Sequence, residues 1–481
     1  MLRMATSPLR SGPAQRSPQR VHECAGRQRN DEMKVVHIPF CFAPDPIGGT
    51  EVYVSQLARD LQTFGVEVLV AAPGSPTRSY TIDGLPVRRF SYNEKVSDIS
   101  QLYGIGDATA AAEFAKILDE EAPDLVHLHA FTAAVSLRLV RVAKSRGIPV
   151  VFTYHTPTVS CLRGTMMLWG ERLCDGKLDI VRCSGCTLEG LGVDEPLAKL
   201  AGRLPPKAGD WLGKRGLQGG VWTALRMSEL VSLRHGAFRM MASEVDRIVA
   251  VCEWVGEVLR TNDIAPAKIF LSRHGINWTP DPGGAPGPDA PRRAPDETRI
   301  GFFGRLERVK GIHVLIKALR AAPTLKIKLD IYGVVQNPAQ TAYRKEIIAL
   351  IADDPRISLL KPIASSEVVA RLRHYDFLAV PSQWMETGPL VALEAFAAGV
   401  PVIGWNVGGI GELVRDEVDG LLIESGDGSD IAWTETLRRV AESAELRARL
   451  KAGVQPPRRS MDVAREMRDL YGTLLDSERP L

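Results

Sequence analysis

Short runs of apolar residues alternate with longer amphipathic stretches from residue 33 onward. The run KVVHIPF, which begins at Lys34, is rich in β-branched residues and predicts a buried strand. A stretch with apolar residues at helical spacing follows, and the run VEVLVAAP at 66–73 predicts the next strand. The same order recurs from Asp124 to His155 and begins again at Asp246. Strands that alternate with helices in this way predict a parallel sheet with crossover helices.

A stretch dense in proline and glycine, residues 279–297, interrupts this pattern and predicts an interdomain linker. After it the order restarts with TRIGFFGRLERVKGIHVLIKAL, which begins at Thr298. The pattern predicts an α/β protein with two doubly wound, Rossmann-like domains, at 33–278 and 298–455, that face each other across a cleft. Residues 456–481 are expected to form a C-terminal helix and tail.

Two glutamates, Glu386 and Glu394, bracket an apolar stretch in WMETGPLVALEAFAAGVPVIGW. Pro389 suits the first turn of a helix because its φ is fixed and it has no N–H group, so Glu386 is expected in a loop and Glu394 inside the helix. Glycoside hydrolases also use carboxylate pairs, but eight helical positions span about 12 Å, more than the hydrolase separation of roughly 5 to 9.5 Å. A long polar ligand fits better, with phosphate at the helix N-terminus, where N–H groups are free.

Ligands of such sheets bind beyond the carboxyl ends of the strands, and residues with useful chemistry follow several predicted strands. Arg305 and Lys310 are spaced to bind a diphosphate, since a guanidinium can bridge two oxygens and an ammonium adds a compact charge. A solvated surface pair is the alternative. His129 is a candidate donor to a sugar hydroxyl, whereas His127 is interpreted as structural. Further strand-end positions are Gly48, Gly49, His155, Gly333 and Glu386.

The charge balance argues against nucleic acid as a partner. The formal net charge is +3, and the first 32 residues account for it, because they hold six arginines and three acidic residues. A nucleic-acid-binding domain would carry a basic excess of its own. This N-terminal piece is interpreted as a disordered tail or an over-long start before Met33. No signal peptide and no apolar run of about 18 residues is evident, which predicts a cytoplasmic protein.

Four of the seven cysteines, Cys161, Cys174, Cys183 and Cys186, cluster in a predicted insertion at 156–192. The final C-x-x-C pair has the spacing of a zinc site, whereas the spacing before it matches no common zinc finger. The sequence leaves three alternatives open: a structural zinc site, an iron–sulfur site, or reduced thiols without a ligand.

A basic segment lies between Lys199 and Arg239, with eight lysines and arginines against two acidic residues. Trp211 and Trp222 lie within it, and LRMSELVSL has apolar residues at helical spacing. Basic residues interleaved with tryptophan suit the surface of an anionic membrane, so peripheral contact with the inner face of the cytoplasmic membrane is predicted. A solvated helical hairpin that caps the first domain is the alternative.

Five stretches resemble the retaining glycosyltransferases of family 4, which have the two-domain GT-B fold. They are IGGTEVYVSQLARDL, LVHLHA, RHGIN, GFFGRLERVKGIHVLIKAL and METGPLVALEAFAAGVPVIGWNVGGIGELVRDEVDGLLIESGD. The resemblance implies transfer of a sugar from a nucleotide-sugar donor to an acceptor, a glycan or lipid-linked glycan, with retention of the anomeric configuration. It also implies that the N-terminal domain binds the acceptor and that the C-terminal helix returns to that domain.

The resemblance assigns roles within the site as well. Glu386 and Glu394 resemble the family's E-x7-E signature, in which the first contacts hydroxyls of the transferred sugar and the second the ribose. Catalytic roles are implied for His129, Glu386, Arg305 and Lys310. Donor contacts are implied for Gly49, Arg305, Lys310, Gly333, Glu386, Thr387, Gly388, Pro389, Leu390 and Glu394, with Gly48 and His155 on the acceptor side.

Two departures from the family pattern concern the acceptor rather than the donor. The turn RHGIN stands where the family commonly has an N-G-V-D-like turn, and the cysteine-rich insertion is not general to the family. No cofactor is implied, and no divalent metal, since no D-x-D-type pair follows a predicted strand. Because fold alone does not fix function, a nucleotide-sugar epimerase or a non-catalytic nucleotide-sugar-binding protein remains an alternative.

Overall fold

The computed structural model describes residues 33–45, 48–95, 99–217, 219–279, 297–424 and 429–477. The predicted tail, 1–32, and the predicted linker except its two end residues lie outside the described residues. Two α/β domains, each built on a mainly parallel sheet, make up the described part of the chain. This confirms the predicted class of two doubly wound domains.

The described residues of the first domain form ten strands. They are β1 (Lys34–Ile38), β2 (Glu67–Pro73), β3 (Arg78–Ile82), β4 (Leu85–Phe90), β5 (Leu125–Leu128), β6 (Val150–Tyr154), β7 (Met167–Leu168), β8 (Arg172–Leu173), β9 (Arg247–Ala250) and β10 (Ile269–Leu271). Eight of them form one sheet in the order β10-β9-β6-β5-β1-β2-β4-β3, in which only β3 and β4 pair antiparallel. Strands β7 and β8 form a separate small hairpin within the cysteine-rich insertion.

Helices cover both faces of this sheet. They are α1 (Gly49–Thr63), α2 (Ser100–Tyr103), α3 (Ala108–Glu121), α4 (Leu137–Lys144), α5 (Ile180–Gly190), α6 (Glu195–Ala201), α7 (Pro206–Gly213), α8 (Gly220–Leu225), α9 (Met227–Glu244) and α10 (Glu253–Thr261). The central strands are apolar on both sides because each face is covered, as expected for a parallel sheet. Val36 packs in the core on one face and Val35 in the core on the other.

The second domain has a six-stranded, fully parallel sheet in the order β13-β12-β11-β14-β15-β16. Its strands are β11 (Thr298–Arg305), β12 (Ile327–Val334), β13 (Ile357–Leu360), β14 (Phe377–Val380), β15 (Val402–Trp405) and β16 (Gly420–Ile423). Its helices are α11 (Ile312–Ala321), α12 (Pro338–Ile351), α13 (Val368–Leu372), α14 (Leu390–Ala397), α15 (Gly408–Leu413), α16 (Ser429–Glu442) and α17 (Ala444–Gly453).

The last helix, α18 (Ser460–Ser477), belongs to the first domain. Its buried face includes Met467 and Tyr471, which share one core with Leu57 of α1. Where the chain returns, Ser460 donates its N–H to the carbonyl of Ile276 at 3.1 Å. The chain therefore crosses between the domains twice at one place, and the C-terminal helix returns to the first domain as predicted.

The predicted apolar stretch of the basic segment is buried rather than exposed. Helix α9 packs Leu230 and Val231 against its neighbours, because it is a long central helix of the first domain. Arg226, fully buried, forms an ion pair with Glu229 at 2.8 Å, and Arg234 is buried too. These two cations are unavailable to a membrane surface. Among the described residues, no helix has both the length and the apolar composition to span a bilayer.

Candidate functional site

A cavity of about 350 Å³ opens between the two domains, at the carboxyl ends of strands from both sheets. Eleven predicted site residues line it: Gly48, Gly49, His155, Arg305, Lys310, Glu386, Thr387, Gly388, Pro389, Leu390 and Glu394. The predicted residues His129 and Gly333 do not line it. The cavity therefore brings together side chains that lie up to 346 residues apart in the printed sequence.

Glu386 is buried in this cavity and ionised. Its Oε1 accepts hydrogen bonds from Lys310 Nζ at 2.6 Å and from Ser382 Oγ at 2.7 Å. Burial by itself raises the pKa of Glu386, but the Lys310 ammonium and the hydrogen bonds outweigh it and hold that pKa below its usual value. The site thus presents a carboxylate that is already oriented by a cation.

The loop between Glu386 and α14 is tightly folded against its surroundings. Gly388 has φ +130°, a conformation that favours glycine. A Cβ on Gly409 would lie 2.6 Å from the Gly388 nitrogen, so the close approach of the two segments also requires glycine there. Helix α14 begins at Leu390 after Pro389, as predicted, and both residues line the cavity, so the N-terminus of the helix lies at the cavity wall.

Hydrogen bonds with residues of the first domain hold the same loop from across the cleft. Thr387 Oγ1 donates to the carbonyl of His155 at 2.6 Å, and Trp254 Nε1 donates to the carbonyl of Glu386 at 2.8 Å. His274 Nδ1 lies 3.0 Å from the Gly388 carbonyl and therefore donates to it. No sequence pattern points to Trp254 or His274, although the turn RHGIN, which contains His274, departs from the family pattern.

Two cations enter the cavity from the second domain. Arg305 ends β11 and lies 3.1 Å from Glu307, with about 40% of its side chain exposed. Lys310 ends a 3-10 turn, Arg308–Lys310, and its side chain is 18% exposed. Gly311 follows with φ +71°, and a Cβ there would lie 1.8 Å from the Pro381 carbonyl, so only glycine permits this turn. Both cations line the cavity, as does the loop that starts at Glu386.

Glu394 lies on the first turns of α14 at the boundary of two cavities. It lines the central cavity and a neighbouring one of about 400 Å³ between α1, α14 and the start of α18. Within the described residues its carboxyl makes no hydrogen bond, and burial raises its pKa to about 7. Glu386 and Glu394 therefore differ in charge at neutral pH, because only Glu386 has a cationic partner.

His129 lies behind His155 rather than at the cavity. Its Nε2 is 2.9 Å from His37 Nδ1 and its Nδ1 is 3.0 Å from His155 Nε2, and only 2% of the residue is exposed. His127 is fully buried and hydrogen-bonded to Tyr471 and Thr153. Burial, and then the neighbouring histidines, hold the pKa of His129 well below its usual value, so this chain of rings is neutral.

Gly333 has a packing role. It is buried within β12, and a Cβ there would lie 2.7 Å from the Leu306 side chain. Its absence from the cavity wall therefore follows from the position of Leu306, which lies over it.

The nitrogens of His37, His127 and His129 lie within 4.8 Å of one another, closer than any other group of three possible metal ligands in the described residues. Both nitrogens of His127 and of His129 already have hydrogen-bond partners. The arrangement is therefore a hydrogen-bonded chain that supports His155, not an open set of metal ligands.

Family models match both domains. Residues 48–273 match the glycosyl transferase 4-like domain, and residues 288–455 match glycosyl transferases group 1. The D-inositol 3-phosphate glycosyltransferase of Salinispora tropica is 26% identical over 463 residues, which covers 90% of this chain and 82% of that protein.

Solved structures share the fold across nearly the whole chain. Sucrose-phosphate synthase from Thermosynechococcus elongatus has a TM-score of 0.62 at 18% identity and covers 93% of this chain and 100% of that one. Anabaena HepE in complex with UDP-glucose has a TM-score of 0.56 at 15% identity, over 92% of this chain and 100% of that one. These similarities establish the GT-B fold of the chain.

Proposed function

Given that this chain is a glycosyltransferase of the GT-B fold, we propose that it transfers a sugar from a nucleotide-sugar donor to a hydroxyl of its acceptor with retention of the anomeric configuration. The observation that carries the proposal is the ionised Glu386, held by Lys310 next to Arg305 and the start of α14 in one cavity. A hydrogen-bond acceptor for sugar hydroxyls and positive charge for a diphosphate thus lie side by side. The UDP-glucose bound by HepE supports a donor of this class.

The donor is expected to lie along the loop from Glu386 to α14. Arg305 and Lys310 supply positive charge to the diphosphate, and the free N–H groups at the start of α14 supply hydrogen bonds to it. Glu386 accepts hydrogen bonds from hydroxyls of the transferred sugar. Glu394, further along α14, is assigned to the ribose. This order follows the chain, since the two carboxylates lie on either side of the phosphate-binding helix start.

The chemistry that this site favours is departure of the nucleoside diphosphate. Negative charge develops on the diphosphate as the glycosidic bond breaks, and preorganised cations and N–H groups stabilise it. Glu386 is fixed by Lys310 and Ser382, so we assign it to orientation of the sugar and not to nucleophilic attack. Arg305 and Lys310 supply the charge for which other transferases use a divalent cation.

His155 is the histidine that we assign to the reacting sugar, in place of His129. It lines the cavity, and its carbonyl is bonded to Thr387 of the opposite domain. His129 and His37 lie in line behind it and act through it. His129 is therefore reassigned from a direct contact to a positioning role.

Incubation with candidate nucleotide sugars tests the proposed activity. We expect a glycosylated product whose anomeric configuration, read by NMR, equals that of the donor. Inversion at the anomeric carbon would refute retention. Inversion at C2 of the sugar without transfer would instead identify an epimerase. Tight binding of a donor without turnover of any donor would identify a binding protein.

For the acceptor, we propose a lipid-linked or membrane-proximal glycan, because the first domain exposes an apolar and basic surface. Helices α6 to α8 present five large apolar side chains to solvent: Leu197, Leu200, Trp211, Val221 and Trp222. Arg203 and Lys207 lie among them without a partner in the described part of the chain, whereas Lys199 and Lys214 pair with acidic neighbours. An apolar surface rimmed by unpaired cations is complementary to anionic headgroups.

Charge reversal tests this membrane contact. We expect the protein to co-sediment with anionic vesicles at low salt and less at high salt, because the attraction is partly screened. Arg203→Glu and Lys207→Glu should each weaken binding by about 2 kcal/mol, roughly 30-fold, because each replaces an attracted cation by a repelled anion. Lys451→Glu, on exposed α17 of the second domain, is the matched control. No binding of the unaltered protein at low salt would point to a soluble acceptor.

The raised pKa of Glu394 predicts that donor affinity depends on pH. The ionised carboxylate accepts ribose hydroxyls, so donor binding favours ionisation, and affinity should rise up to about tenfold from about pH 6 to about pH 8. A nucleotide sugar keeps constant charge in this range, which makes it the ligand to titrate. Calorimetry should give a flat profile for Glu394→Gln. An equal pH dependence in that variant would contradict the assignment.

A further inference from the structure

The four clustered cysteines converge on one small cavity in the first domain. Cys161 follows the 3-10 turn Pro157–Val159, and Cys174 follows the β7–β8 hairpin. Cys183 and Cys186 lie three residues apart on α5, and so on the same face of that helix. All four are free thiols, and all four line the same cavity of about 30 Å³. Three separate elements of the insertion thus bring all four of its cysteines to one cavity.

The size of this cavity distinguishes between the possible ligands. A volume of about 30 Å³ holds one or two spheres of the size of a water molecule, enough for a single ion. It does not hold a cluster of four irons and four sulfides. No three of the sulfurs in the described residues lie within 4.8 Å of one another. A tetrahedral zinc with Zn–S bonds of about 2.3 Å needs them at about 3.8 Å, so the cysteine side chains must rotate inward to bind it.

The β7–β8 hairpin beside the cysteines is short, and its backbone adopts strained conformations. The hairpin has two residues in each strand, and Met166 and Trp169 adopt left-handed φ values of 54° and 57°. Such a backbone persists only where the surroundings determine it. The N–H of Trp169 already points to Cys186 Sγ at 3.3 Å, the kind of hydrogen bond that stabilises a thiolate ligand.

One contact connects the insertion to the donor site. The carbonyl of Thr165, which lies between Cys161 and Cys174 in the chain, accepts a hydrogen bond from the N–H of Met385 at 3.0 Å. Met385 immediately precedes Glu386, and its side chain packs in the core of the first domain. Any ligand that fixes the cysteine segment therefore also fixes the backbone beside Glu386.

We propose that Cys161, Cys174, Cys183 and Cys186 bind one zinc ion as thiolates and that this ion holds the insertion against the loop that carries Glu386. Each thiol releases its proton to solvent on binding, and no electron is transferred. The ion positions the donor loop and does not touch the donor. The metal site stands independently of the proposed transferase activity, and only its effect on donor binding depends on that activity.

Metal analysis of the full chain, purified without added metal, tests the proposal. We expect about one zinc per chain in the unaltered protein and less than a tenth of that in Cys183→Ser and Cys186→Ser. Cys252→Ser is the matched control and should keep its zinc, because Cys252 lies outside the insertion, at the N-cap position of α10, which serine favours. With the proposed donor, loss of zinc should raise KM several-fold more than it lowers kcat.

A second measurement uses only the unaltered protein, so it does not depend on whether the variants fold. Titration of the unaltered protein with a mercurial reagent should release zinc in step with modification of four thiols, as followed by a metallochromic dye. Limited proteolysis should then become faster between Cys161 and Cys174. Absence of metal with all four thiols freely titratable, a disulfide among them, or iron with inorganic sulfide would each overturn the proposal. If the protein binds zinc but loss of that zinc leaves the donor KM unchanged, the positioning role is refuted and the zinc site stands.

Discussion

The Glu386→Gln variant is expected to lose sugar transfer by about 10²- to 10³-fold in kcat while it keeps its fold. Glutamine has nearly the same shape but no charge, so the sugar hydroxyls lose an ionised acceptor. Lys310 loses its partner at the same time, since the two groups are 2.6 Å apart. Because Lys310 loses a largely buried partner, the melting temperature should fall by about a few degrees, which leaves the enzyme folded at the assay temperature. Initial rates with donor well above its KM measure the effect.

The control for this prediction is Glu435→Gln. Glu435 lies on α16, away from the cavity, and among the described residues its one ion pair is with exposed Arg438. Its removal should leave turnover unchanged. Turnover of Glu386→Gln within a few-fold of the unaltered enzyme would remove Glu386 from the reacting site, whatever its effect on stability.

Removal of either cavity cation is expected to weaken binding of the nucleoside diphosphate product. Arg305→Ala and Lys310→Ala should each cost about 1.5 to 3 kcal/mol, or about 10- to 160-fold in affinity, if both make charge-assisted bonds. The loss should be larger for Lys310. It is less exposed than Arg305, and its removal leaves the Glu386 carboxylate without a cation beside the phosphates. Calorimetric titration with the product measures both losses.

A matched pair of surface cations controls for non-specific charge effects. Arg438→Ala and Lys451→Ala alter the same domain at exposed positions outside the cavity. We expect product affinities within about twofold of the unaltered protein for both. If Arg305→Ala and Lys310→Ala behave like these controls, the two cavity cations form only a solvated surface pair, which is the alternative that the sequence left open.

The sequence by itself determined the fold class and the edge of the sheet at which the site lies. Runs such as that of β1 are apolar on both faces, and only a parallel sheet covered by helices buries both. The carboxyl ends of parallel strands meet at one edge, so Arg305 and Glu386 could be placed together although 81 positions separate them. The start of α14 after Pro389 was also predictable, because proline restricts the chain locally.

Only the tertiary structure decided how deep each predicted residue lies and what covers it. Strand-end position placed His129 near the site, but whether it reaches the cavity depends on His155 of the neighbouring strand, which lies in front of it. The basic segment could not reveal that Arg226 and Arg234 are buried, because their burial depends on how α9 packs. The bond from Trp254 to the Glu386 carbonyl joins residues 132 positions apart across two domains. Such contacts follow from the orientation of whole domains, which local hydrophobic patterns do not encode.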